Sequence, residues 1–229
     1  MTDLFRETVS AIVAVHNGER FLAETLESIV SQTRRPDEII VVDDASTDGT
    51  ADVVARFKSA RLVPQAKAGQ AAALNRGVAT AKGTLLAFLD ADDLWAPDKT
   101  EKQLAAFRRS PKLELVYGHA RQFVDASVKG RFELPMGREV LPAKVPGAGL
   151  LRRSAFDRLG PFREDLPTGS AIEWYTRARD AGLSELVLGD IVLLRRIHAD
   201  NVGKAFADPQ GYFTALRATL ARRRKEGVV

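Results

Sequence analysis

The chain has no cysteine among its 229 residues. Disulfides and thiolate metal sites are therefore excluded, in keeping with a reducing compartment. No apolar run approaches the ~20 residues that a membrane-spanning helix needs. Met1 to Glu7 carries Asp3, Arg6 and Glu7 in place of the apolar core of a signal peptide. Together these absences lead us to expect a cytoplasmic protein. Basic residues are not interleaved with aromatics over a broad stretch, so nucleic acid is not an expected partner. No internal repeat or low-complexity linker divides the chain. Its length suits one large α/β domain with a decoration better than two full domains.

The first half alternates strand and helix signals. Val9 to Val15 and Ile39 to Val42 are apolar, β-branched runs, and Leu85 to Leu89 is a third. Runs of that kind, bounded by turn residues, predict strands buried on both faces. Between them, Leu22, Leu26, Ile29 and Val30 recur at helical spacing, as do Val53, Val54 and Phe57. Ser46 or Thr47 is the expected cap of the second helix. A short strand from Arg61 should stop at Pro64, Gly69 should open an Ala-rich helix, and Pro97 should begin a helix running through Phe107. The order predicts a mostly parallel central sheet flanked by helices, with ligands bound at the carboxyl ends of the strands.

The second half is less regular. Strands are expected over Leu113 to Tyr117, Arg131 to Leu134, Glu185 to Leu188 and Ile191 to Leu194. Pro142 to Gly149 reads as a loop leading into Leu150-Leu151, and helices are expected over Ser154 to Leu159 and Ala171 to Ala181. We expect residues 1–204 to form one domain and residues 205–229 a helical, basic tail. In that tail Tyr212, Phe213, Leu216 and Leu220 share a helix face and precede Arg222-Arg223-Arg224-Lys225. Two readings fit it: a helix docked on its own domain, or a peripheral contact with an anionic membrane surface.

Two acidic clusters carry the chemistry. Asp43-Asp44 ends the second apolar run, and Asp90-Ala91-Asp92-Asp93 ends the third. Asp90 and Asp92 project to one side of an extended chain, where their like charges repel. A divalent cation removes that conflict, and Mg²⁺ or Mn²⁺ is commonly shared between one or two carboxylates and substrate phosphates. Two acidic clusters at one sheet edge predict a site.

With these residues placed, the chain resembles the family-2 glycosyltransferases, nucleotide-sugar-dependent enzymes of the Rossmann-like GT-A fold. The matching pieces run in order: Val13-Ala14-Val15-His16-Asn17-Gly18-Glu19-Arg20-Phe21-Leu22, Ser28-Ile29-Val30-Ser31-Gln32-Thr33, Val42-Asp43-Asp44-Ala45-Ser46-Thr47-Asp48-Gly49-Thr50, Asn75-Arg76-Gly77, and Phe88 to Pro97. The resemblance covers about residues 8 to 201. It implies that Ala14, His16, Asp43, Asp44, Asn75 and Asp90 hold a nucleotide-sugar. Within that set His16 would lie against the base, Asp44 would accept from a base N–H, and UDP is the leading nucleotide. It further implies that Asp92, Asp90 and His198 hold Mn²⁺ or Mg²⁺, with Asp93 as an extra ligand.

One departure stands out. Members usually place an acidic pair at the start of a helix that continues to an aromatic residue and an arginine, and that pair supplies the base. Here Ser170-Ala171 occupies the position, and Glu173 is the nearest carboxylate. Glu173 is the expected substitute, with Asp165 as another option. The reading is an inverting, metal-dependent glycosyltransferase acting on a saccharide, lipid-linked or peptide acceptor, at the inner face of a membrane if the tail binds lipid. The alternatives are a nucleotide-sugar-binding module with weak or no turnover and a nucleotidyltransferase. Against the latter, His16 to Arg20 lacks a Gly-rich, basic phosphate loop.

Overall fold

The computed structural model describes residues 7–128, 139–166, 168–199, 201 and 209–225. The expected strand from Arg131 to Leu134 lies outside those residues. The first half is built of β1 (Val9–Val15), α1 (Leu22–Val30), β2 (Glu38–Asp44), α2 (Thr50–Ala55), β3 (Ala60–Gln65), α3 (Gln70–Thr80), β4 (Leu85–Asp90), the two-residue β5 (Leu94–Trp95) and α4 (Lys99–Arg109). The second half adds β6 (Leu115–Val124), β7 (Val140–Ala143), β8 (Leu150–Arg152), α5 (Arg153–Leu159), α6 (Ser170–Asp180), β9 (Glu185–Ile197) and α7 (Pro209–Lys225). No helix of the described residues is long and apolar enough to cross a membrane.

One sheet runs through the molecule in the order β3-β2-β1-β4-β8-β6-β9-β5, with β7 paired to β6. The first four strands are parallel, so the ends of β1, β2 and β4 open onto one edge. Alternation sorts their side chains onto two cores. Val13, Leu26, Ile29, Val53, Leu104 and Phe107 pack on the α1–α2–α4 face. Ile12, Ile40, Leu74, Phe88, Phe156 and Trp174 pack on the α3–α5–α6 face. Helix α3 approaches β1 closely because residue 77 is glycine: a Cβ there would stand 2.4 Å from Ile12 Cγ2.

Several boundaries differ from the sequence expectation, each for a physical reason. Pro64 lies inside β3, which tolerates it because β3 is an edge strand and one face of its ladder has no partner. Pro142 lies in β7 for the same reason. The cap of α2 is neither Ser46 nor Thr47. Ser46 Oγ accepts from Asn17 N at 2.8 Å, and Asp48 Oδ1 accepts from Thr50 N at 3.1 Å. Helix α4 starts at Lys99, two residues beyond Pro97. The two late strands are one, β9, whose Gly189-Asp190 interruption is a bulge against β6 between the Tyr117↔Val187 and His119↔Ile191 pairs.

Candidate functional site

The carboxyl ends of β1, β2 and β4, together with the end of β9, enclose a crevice of about 740 Å³. Ala14, His16, Asn17, Asp44, Lys67, Gln70, Asp90, Asp92, Arg195 and His198 line it. Ala14 sits on the floor, where its small side chain leaves room above β1. His16 is exposed at the mouth. Asn17 adopts a left-handed φ of 53°, a conformation asparagine tolerates better than most residues. Its Oδ1 accepts from Thr47 N at 2.8 Å, which joins the loop after β1 to the loop after β2.

Asp43 and Asp44 separate, because neighbours in a strand point to opposite faces. Asp43 Oδ1 accepts from Ser46 N at 2.9 Å and shapes the turn; it is not among the crevice-lining residues, contrary to expectation. Asp44 faces the crevice with its oxygens engaged. Gln65 Nε2 and Ala68 N donate to Oδ1 at 2.8 and 2.7 Å, Gly69 N donates to Oδ2 at 3.0 Å, and Lys67 Nζ stands 3.4 Å from Oδ2. Burial alone would raise this carboxyl, but these hydrogen bonds outweigh it and hold the pKa below the usual carboxylate range. Asp44 thus fixes the loop into α3, and Lys67 is the exposed cation it presents to the crevice.

The second acidic cluster is a turn held from behind. Thr25 Oγ1 donates to Ala91 O and Asp93 O, each at 2.9 Å. Gln32, inside the Ser31-Gln32-Thr33 motif, is buried; its Nε2 donates to Ala96 O at 2.7 Å and its Oε1 accepts from Thr100 N at 3.1 Å. Asp93 also lines the crevice but is nearly buried, and its Oδ1 accepts from Arg196 N at 2.8 Å. Burial and the Asp90 and Asp92 charges push the Asp93 carboxyl well up.

In front of that turn Asp92 Oδ2 lies 2.9 Å from His198 Nε2 and 3.4 Å from Asn201 Nδ2. Asp90 Oδ1 accepts from Gln70 Nε2 at 2.8 Å. The enclosed surroundings of the crevice, with the Asp92 charge beside it, push Asp90 up to about 6, while Arg195 and the Gln70 bond pull it down. Among the described residues no three acidic or histidine side chains converge closely enough to hold a metal by themselves. The donor set nevertheless fits Mn²⁺ or Mg²⁺, which take oxygen and imidazole ligands and rely on substrate phosphates for the rest of their shell. Positive charge there would also relieve the strain expressed in the raised Asp90 pKa.

Two adjacent arginines of β9 divide the work by alternation. Arg195 faces the crevice. Arg196 is buried between the rings of Phe21 and Phe123; its Nε donates to Asp92 O at 3.0 Å, Nη2 pairs with Glu24 at 2.8 Å and Nη1 with Asp125 at 3.3 Å. Arg196, Thr25, Lys67, Gln70 and Asn201 were not singled out from the sequence. Only Arg196 and Asn201 had a signal there, their place in the stretch from Arg195 through His198 to Asn201.

Two further expectations are corrected. Asn75 does not face the crevice: its Nδ2 donates to Phe162 O and to Glu164 Oε1 at 2.9 and 2.8 Å, and its Oδ1 accepts from Phe162 N at 2.9 Å. Its amide clamps the segment before α6. Glu173 is 1% exposed and pairs with Arg177 Nη2 at 3.2 Å. The same guanidinium group donates to Leu159 O and to Pro161 O. One helical turn separates the pair, so Glu173 is committed to the α5–α6 turn and does not line the crevice. Asp165, the other option, is exposed and paired with Arg163.

The fold defines an α/β domain of the GT-A type, with its acidic turn at the carboxyl edge of the sheet. The chain belongs to glycosyl transferase family 2, whose model matches residues 10–160. It is 36% identical over 132 residues to the *Escherichia coli* UDP-Glc:alpha-D-GlcNAc-diphosphoundecaprenol beta-1,3-glucosyltransferase WfaP, covering 56% of this chain and 52% of that protein. It is 27% identical over 200 residues to the glycosyltransferase AglE of Haloferax volcanii, covering 80% and 65%. The chain thus spans about half to two-thirds of the length of these relatives. The fold is shared with S. aureus TarS 1-349 in complex with UDP-GlcNAc, at a TM-score of 0.71 and 22% identity over 93% of this chain and 65% of that one. It is shared as well with the mannosyltransferase PcManGT of Pyrobaculum calidifontis in complex with GDP-Man and Mn²⁺, at 0.67 and 22% over 97% and 76%.

Proposed function

We propose that the crevice binds a UDP-sugar together with Mn²⁺ or Mg²⁺, and that the protein is an inverting glycosyltransferase. The sugar would pass to a glycan, a lipid-linked intermediate or a peptide. A lipid-linked acceptor is favoured by the E. coli relative, whose name specifies a diphosphoundecaprenol-linked sugar. The observation that carries the reading is the Asp92–His198 contact at 2.9 Å beside Asp90, in a crevice whose other end holds Ala14, His16 and Asp44.

In this reading the base lies over Ala14 and against His16. Lys67, tethered to Asp44, offers an N–H to a base carbonyl. Asp92 and His198 would hold the cation, with Asp90 on the cation or ribose, and Arg195 would add positive charge toward the diphosphate. When bound, the metal acts as a Lewis acid on the departing diphosphate. The acceptor proton is not assigned to Glu173, since Arg177 holds that carboxylate. With Ser170 and Ala171 at the start of α6, this favours a second reading, a nucleotide-sugar-binding module of slow turnover.

A panel of UDP-, GDP- and CDP-sugars in thermal-shift and donor-hydrolysis assays with Mn²⁺ separates the readings. Stabilisation by UDP-sugars with slow hydrolysis supports the transferase, and stabilisation alone supports the binding module. Release of pyrophosphate from a nucleoside triphosphate would assign the fold to a nucleotidyltransferase instead.

A further inference from the structure

Helix α7 inverts the ordinary pattern of a surface helix, which puts its large apolar residues against the protein and its charges outside. Its docked face is small: Ala215, Ala218 and Thr219 are buried, and the helix lies along α6. The contact is fastened by Asp180 at the end of α6, which accepts from Arg222 and, at 3.0 and 2.7 Å, from Arg223 Nε and Nη2. At about 100° per residue, Phe213, Leu216 and Leu220 fall on the opposite side, and they are 56%, 41% and 38% exposed. Arg217 and Arg224 stand on that outer side and are exposed too. The helix contains five basic residues and no acidic one. It therefore turns outward a stripe of large apolar side chains edged with positive charge.

We propose that this outer face of α7 binds an anionic bilayer surface. Leu216 and Leu220 enter the boundary between headgroups and acyl chains, and Arg217 and Arg224 meet lipid phosphates. Charge complementarity selects this occupant over a second copy of the chain. An isologous dimer through the same face would bring two basic stripes together with no acidic residue on either helix to meet them. The proposal stands independently of the donor chemistry.

The test is sedimentation of the full chain with phosphatidylcholine vesicles, with and without phosphatidylglycerol. The expected result is binding to the anionic vesicles alone, weakening as salt rises. Leu216→Ser with Leu220→Ser, and separately Arg217→Gln with Arg224→Gln, should each lower that binding by about 10-fold or more. All four positions are exposed, so melting temperature and Mn²⁺-dependent UDP binding should stay at wild-type values and exclude misfolding as the cause. No sedimentation with anionic vesicles, or equal binding by wild type and both variants, overturns the proposal. So does a concentration-dependent dimer that Leu216→Ser abolishes. Loss of UDP binding with vesicle binding intact would count against the donor reading alone.

Discussion

The donor edge of the sheet and the α5–α6 region contain similar ingredients arranged to opposite ends. At the edge, Asp90 and Asp92 sit together in the crevice, and its enclosed surroundings, with the Asp92 charge second, push the Asp90 carboxyl up. Around α6, Glu173 is buried but neutralised by Arg177, whose guanidinium also ties down the preceding turn. Left without a fixed cationic partner, a carboxylate is available to a ligand; paired with a buried arginine, it is part of the scaffold. That difference decides which acidic residues of this chain can do chemistry. It also explains why proximity along the sequence to the missing acidic pair misassigned Glu173.

The sharpest way to break the comparison is at the scaffold that holds the donor edge. Arg196→Ala should cost about 3–5 kcal/mol, the usual loss when one partner of a buried charge network is removed. It should also abolish Mn²⁺-dependent UDP binding, because Asp92 O, Asp125 and Glu24 lose the guanidinium they share, although the backbone N of residue 196 still donates to Asp93. Chemical denaturation reads the first effect and calorimetry the second.

At the seam between the halves, Lys99 Nζ donates to Gln103 Oε1 at 2.8 Å and to Gly149 O at 3.0 Å, stacked on Trp95. Burial pushes its ammonium down to about 7. Between about 7 and the ordinary lysine pKa, the unfolded chain holds a proton that the folded one has released. Stability should therefore rise with pH through that window, by up to about 1.4 kcal/mol per pH unit. Lys99→Met should flatten the rise, as followed by denaturation at pH 7.5 to 9.5, roughly that window.

The α6 side is sharpened by Glu173→Gln. Loss of the Arg177 pair should lower stability by about 1–3 kcal/mol, while UDP affinity stays near the wild-type value. Loss of transfer at unchanged stability would restore Glu173 as the base. The smallest effect lies in the turn after β2, where Ala45 adopts a left-handed φ of 60°. Ala45→Gly should relieve about 1 kcal/mol of strain, visible as a raised melting temperature.

How much of this was legible in the sequence follows from the same contrast. Asp44, Asp90 and Asp92 could be brought to one sheet edge by period and turn signals, because a parallel sheet delivers its strand ends there; Ala14 entered only through the family resemblance. Asp43 could not, since choosing between adjacent carboxylates requires knowing which face of β2 meets the crevice. Asn75 lies outside the crevice because its partners, Phe162 and Glu164, come from a distant segment that only tertiary packing brings near. Glu173 has its partner Arg177 one turn away in the sequence, but its burial and the tie of Arg177 to Leu159 and Pro161 appear only in the fold. Arg196 could not be told from Arg195 in the sequence, because only the fold sets it between the rings of Phe21 and Phe123. Pro64 and Pro142 read as strand breaks because edge position cannot be seen locally.

In the proposed function Asp92, whose carboxylate meets His198 and Asn201 among the described residues, would carry the metal that ties a nucleoside diphosphate to the crevice. Titration calorimetry of UDP against wild type and Asp92→Asn, with and without Mn²⁺, tests it most directly. The account predicts that Mn²⁺ tightens UDP binding to the wild type and that the variant loses about 10-fold of that affinity, or about 1.4 kcal/mol, with metal-free binding unchanged. Equal Mn²⁺-dependent affinity in the two proteins would contradict it.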